Sequence, residues 1–211
     1  MIRSAFLETA REALALIASR DVQRMWDAPS ALSGLSVGAL AAHLSRAVST
    51  VEFYIAVALP EPLPLLVSAD QYYVDVKLTR DLDDELNTAI RNRSVEAAGA
   101  GHSAVVAEME ASIATVAEFL VAAPADRVVV VIFDIAMVLD EYLVTRMVEL
   151  VTHIDDLATS VRRPCPELPD VTRACVLGCL FAIARRRYGD IELLRALTRA
   201  ERARPDVFPV F

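Results

Sequence analysis

With 211 residues and 55% hydrophobic content, the chain can fill the core of one large domain without a covalent or metal staple. Its formal net charge of -8 argues against a phosphate-backbone partner, which would need clustered Lys and Arg, so nucleic acid is not expected as a ligand. The longest apolar stretches, Val128 to Phe133 and Ala174 to Ala184, fall short of the roughly 18 residues that span a bilayer, and Glu8 and Glu12 interrupt the first helix where a secretory signal would be unbroken. A soluble, cytoplasmic protein without membrane contact is expected.

Apolar residues recur at helical spacing from Ala5 to Trp26 and predict a first helix, which Pro29 ends. Ser36 suits the N-cap of a second, from Val37 to about Leu59, although Ala39 leaves its capping box half present. Pro60, Pro62 and Pro64 stop that helix. Residues 65 to 101 are polar, carry the acidic cluster Asp81 to Glu85 and end in Gly99-Ala100-Gly101; this reads as a long crossover holding one short helix. A third long helix runs from Ser103, a cap by residue type, to Ala122. Val128 to Phe133 is β-branched and reads as a short extended segment or half of a small hairpin. A fourth long helix follows from Leu139 to Val161, then two more near Asp170 to Arg187 and Asp190 to Arg202. The fold class is therefore all-α: a four-helix bundle over 1–163, with a small helical C-terminal extension over 164–211 packed on it.

The fourth helix carries the chemistry. At about 100° per residue, Tyr142, Arg146, Glu149, His153 and Asp156 share an arc of about 80°, while Leu143, Val144, Met147, Val148, Leu150, Val151 and Ile154 surround them. A helix apolar on its other faces lines an internal pocket with such a stripe. Glu149 and His153, one turn apart, either form a buried ion pair or hold a cation together. A third ligand must come from elsewhere. His43, among apolar neighbours in the second helix, is the better placed, the other reading being a core His bonded to a carbonyl. His102, at a loop-to-helix junction, reads as exposed. Cys175 and Cys179 read as reduced core residues and Cys165 as an exposed thiol.

The segments Leu35 to Leu44 and Arg146 to Leu157 resemble the signature of the mycothiol-dependent maleylpyruvate isomerase family, within the DinB-like superfamily, and Arg187 to Phe211 resembles the tail of actinobacterial members. The resemblance implies a DinB-like bundle with a divalent metal, usually zinc, on His43, Glu149 and His153. It also implies mycothiol as the thiol cosubstrate, so that no catalytic Cys is required. Three protein ligands leave a coordination position open, where a thiol with a free pKa of about 8.5 would ionise at neutral pH. Arg146 then holds a substrate carboxylate, or pairs with Glu149 or Asp156; Asp156 orients His153 or faces solvent; Tyr142 donates to the ligand or is a half-buried core residue.

The resulting expectation is a metal-dependent isomerase or S-transferase of the cytoplasm, acting on a small electrophilic molecule with a low-molecular-weight thiol. The alternative is a non-catalytic metal- or ligand-binding bundle with a stress-related role, a homodimer through its acidic helices.

Overall fold

The computed structural model describes residues 1–77 and 85–210; the acidic cluster expected at Asp81 to Glu85 lies outside them, apart from the backbone of Glu85. Four long helices form the bundle: α1 (Ile2–Ile17), α3 (Val37–Ala56), α6 (His102–Ala122) and α7 (Leu139–Ser160). Both α6 and α7 pack against α1 and α3, so the latter two stand diagonally across a shared core. Phe6, Ile17, Leu40, Leu44, Met109, Met147, Leu150 and Ile154 fill that core and are fully enclosed. The architecture is the expected all-α bundle with one short β segment.

The first helix expected through Trp26 is instead two. Ser19 leaves helical geometry and its hydroxyl accepts the Val22 N–H at 3.4 Å, capping the short α2 (Arg20–Arg24). A Ser oxygen competing for backbone donors is a common reason for such a break. Trp26, released from the helix, lies against Gly38 and donates its indole N–H to the Ala98 carbonyl at 3.2 Å.

Ser36 caps α3 as expected, accepting the Ala39 N–H at 3.1 Å, and the helix ends at Ala56, short of the expected Leu59. The crossover holds more helix than expected. A short α4 (Ala69–Tyr72) runs into a π-helical turn, Tyr73–Lys77, and a 14-residue α5 (Glu85–Ala98) lies along α3. The Glu141 carboxylate of α7 accepts the Ala69 N–H at 2.8 Å and so fixes the start of α4. Helix α6 begins at His102 with Gly101 at its cap, and no side chain caps it, so Ser103 lies inside the helix.

Val128–Val131 (β1) is indeed half of a hairpin, pairing antiparallel with Ile135–Val138 (β2), whose end leads directly into α7. Beyond the bundle, α8 (Asp170–Tyr188) packs on α7, α4 and α1, and a buried hydroxyl pair, Thr9 with Thr172 at 2.8 Å, joins it to α1. The last expected helix is shorter than read: α9 (Asp190–Thr198) stops, and Ala200–Arg202 is a 3-10 turn.

Candidate metal centre

Helix α7 packs Leu143, Met147, Leu150, Ile154 and Leu157 into the core, which turns Glu149 and His153 toward α3. There His43 stands between the buried Ala42 and Leu44. The two imidazole rings meet at 4.7 Å between centroids and 78° between planes. His43, Glu149 and His153 each offer one ligand atom, and the three atoms lie within 4.8 Å of one another. His153 Nε2 and Glu149 Oε2 are 3.6 Å apart, close to the spacing of two donors on a tetrahedral cation with bonds of about 2.0 to 2.2 Å. Two imidazoles and a carboxylate are a borderline donor set that suits zinc and its first-row neighbours. The residues therefore fit a divalent cation, and among the described residues no fourth His, Cys, Asp or Glu joins them.

Each of the three has a further polar neighbour. Asp156 Oδ2 lies 3.0 Å from His153 Nδ1. Burial works against charge on this imidazole, but the bonds to Asp156 and Glu149 outweigh it and bring its pKa up to about 9. Ser94 Oγ lies 3.2 Å from His43 Nδ1, and the buried Tyr73 donates toward Glu149 Oε1 at 3.3 Å and the Thr145 carbonyl at 3.1 Å. Burial, and then the charge of Glu149, hold the Tyr73 phenol well above its ordinary pKa. Tyr73 and Ser94 come from the crossover and were missed by sequence reasoning. Neither residue's type or spacing in the sequence marks it as a neighbour of the cluster.

Tyr142 and Arg146 stand together beside this group. The Arg146 guanidinium lies over the Tyr142 ring at 5.1 Å and its Nε donates to Thr145 Oγ1 at 3.1 Å. It forms no ion pair with Glu149 or Asp156, the pairing one reading offered. Burial opposes its charge, but Tyr142 and Glu149 keep its pKa above the ordinary value. Tyr142 is buried rather than half-buried, meets Tyr54 edge-on at 5.7 Å, and burial pushes its phenol up to about 12.

His102 is not part of the cluster: its Nε2 faces the Ile17 carbonyl at 2.8 Å, and the ring is half-buried against Trp26 rather than exposed. No thiol joins either. Cys165 is exposed, Cys179 is buried with its thiol pushed up to about 12 by burial, and Cys175, expected in the core, is half-buried.

A model of the mycothiol maleylpyruvate isomerase N-terminal domain matches residues 6–158. The chain belongs to this family. The family match runs from α1 into the last turn of α7, encloses His43, Glu149 and His153, and stops before α8. Family and donor cluster together support a metal-dependent function. No curated protein and no solved structure matches the chain. Among the described residues no helix is long and apolar enough to cross a membrane.

Proposed function

We propose that this protein holds a divalent cation, zinc first, on His43, Glu149 and His153 and uses it to activate a low-molecular-weight thiol toward a small electrophilic substrate. The observation that carries this reading is the convergence of three ligand atoms from α3 and α7 with no fourth protein ligand among the described residues. A cation with an open position lowers the pKa of a thiol there and supplies a nucleophile at neutral pH. The family name makes mycothiol the first thiol to try, and we read the compartment as an actinobacterial cytoplasm.

The chain's own groups do the rest. Asp156 and Ser94 fix the rings of His153 and His43, and Arg146 takes an anionic group of the substrate while Tyr142 supports the guanidinium from below. Addition of the thiol sulfur to an activated double bond, rotation, and loss of the thiol give isomerisation. Retention of the carbon–sulfur bond, with the thiol proton passing to the substrate, gives transfer.

Metal analysis of protein purified without added cations tests the first half: about one divalent ion per chain in the native protein and a large loss in His153→Ala. Full occupancy in that variant would refute the ligand set. Incubation with mycothiol and electrophilic acceptors tests the second half, because a metal-binding bundle without catalytic function releases no new product.

A further inference from the structure

We propose that two copies of this chain pair through the exposed face of α8, antiparallel about a two-fold axis between Leu177 and Gly178. This helix lies beyond the family match, and none of its residues belongs to the donor cluster. Thr172, Val176, Cys179, Ile183 and Ala184 bury one side of α8 against the bundle. At about 100° per residue, Asp170, Ala174, Leu177, Gly178, Phe181 and Arg185 share the opposite arc, and all six are exposed.

The middle of this stripe is apolar. Leu177 is 53% exposed and Phe181 39%, and Phe208 of the C-terminal tail, 40% exposed, meets the Phe181 ring at 6.4 Å between centroids. Large apolar side chains gathered in water mark a surface that another molecule covers. The order of residues along the stripe selects a second copy as that molecule. Laid antiparallel against itself, the stripe places Leu177 of one copy over Gly178 of the other, Phe181 over Ala174, and Arg185 beside Asp170. Each contact occurs twice, as an isologous interface requires.

Large side chains thus meet small ones. A Cβ at Gly178 would have no atom within 4 Å, which leaves the room that Leu177 of the second copy needs. Opposite charges meet at both ends of the pair, and antiparallel helix dipoles favour the same arrangement. Within one chain Asp170 pairs with Arg173, and Arg185 with Asp190 at 3.1 Å; exposed pairs of this kind contribute little and exchange readily. Net charge acts in the same direction. Residues 164–211 carry eight Arg against six Asp and Glu, whereas the whole chain stands at -8, so two copies repel least where their extensions meet.

Sedimentation velocity of the full chain reads the assembly. The native protein should be a dimer at micromolar concentration. Leu177→Glu, at an exposed position, should raise the dissociation constant about thirtyfold or more, the loss typical of an interface hot spot. Asp170→Arg and Arg185→Asp should each weaken pairing, because like charges then face each other at both ends. Mixed in equal amounts, these two variants should pair more tightly than either does alone, since each supplies the charge the other lacks.

A native protein that stays monomeric at every soluble concentration would overturn the proposal and leave the face to a different protein or a lipid surface. A dimer unchanged by Leu177→Glu would place the contact elsewhere on the chain, and these two results decide even if a charge reversal fails to fold. Folded reversal variants that pair no better on mixing would refute the two-fold register.

Discussion

Ser94, on α5, stands 3.2 Å from the ring of His43, on α3, and donates its own proton to the Ile90 carbonyl at 3.0 Å. With that proton engaged, the Ser94 oxygen can only accept from His43, so the imidazole carries hydrogen on Nδ1 and turns the lone pair of Nε2 the other way. Removing such an outer partner commonly lowers metal affinity about 10- to 100-fold. Ser94→Ala should therefore weaken zinc binding by that factor while keeping a native circular dichroism spectrum. A competition titration with a chromogenic chelator measures this, and an unchanged dissociation constant would remove Ser94 from the site.

His153 provides a pH signature in protein stripped of metal. Its folded pKa of about 9 lies above its ordinary value of 6.5, so the folded state binds the proton more tightly than the unfolded chain. The stability this contributes is fully present below about pH 6.5 and disappears as the pH rises through 9. The melting temperature of the stripped protein should fall between pH 7 and 10, and His153→Ala should flatten that part of the curve. A cation binding at pH 7 must displace the same proton, so calorimetry in buffers of different ionisation enthalpy should register about one proton released.

Arg146 separates substrate recognition from metal binding. Arg146→Met keeps much of the side chain's length and its contact with Tyr142, yet removes the charge. Metal occupancy should stay at the native level. Loss of a charge-assisted hydrogen bond worth about 1.5 to 3 kcal/mol should lower kcat/KM about 10- to 100-fold for an anionic substrate. An equal loss with an uncharged electrophile would assign Arg146 to packing.

Gly38 has no room for a side chain. A methyl group there would meet the Trp26 ring at 2.5 to 2.7 Å, and the Gly38 N–H already bonds the Trp26 carbonyl at 2.8 Å. Gly38→Ala should displace the indole and destabilise the fold by about 1 to 3 kcal/mol, as overpacking does. The chain has a single Trp, so a shift in its fluorescence maximum should accompany the lower melting temperature.

Much of this arrangement could be read from residue types and spacing, and the exceptions have identifiable causes. Helix α7 was legible because its apolar residues repeat without interruption, and its polar stripe stood out against them. The start of α3 was legible because Ser36 precedes a long apolar run. Helix α5 was hidden because it lies on the outside of α3 and buries little, so its apolar pattern is faint; Ser94 was hidden with it. Tyr73 was hidden for another reason. Its partner Glu149 is far away in the chain, and a tyrosine in a polar crossover carries no mark of the carboxylate it will meet. The break after Ile17 was missed because the apolar spacing continues across Ser19 even though the backbone does not.

All three cysteines are free, so no covalent bond ties distant parts of this chain together. A cation shared by His43 on one helix and by Glu149 and His153 on another would do so, closing a loop of about a hundred residues. In a reducing compartment this is the cross-link that a disulfide provides outside the cell. The ion would then hold the two helices in register as well as serve chemistry, and the protein's resistance to unfolding would rise and fall with the supply of its metal.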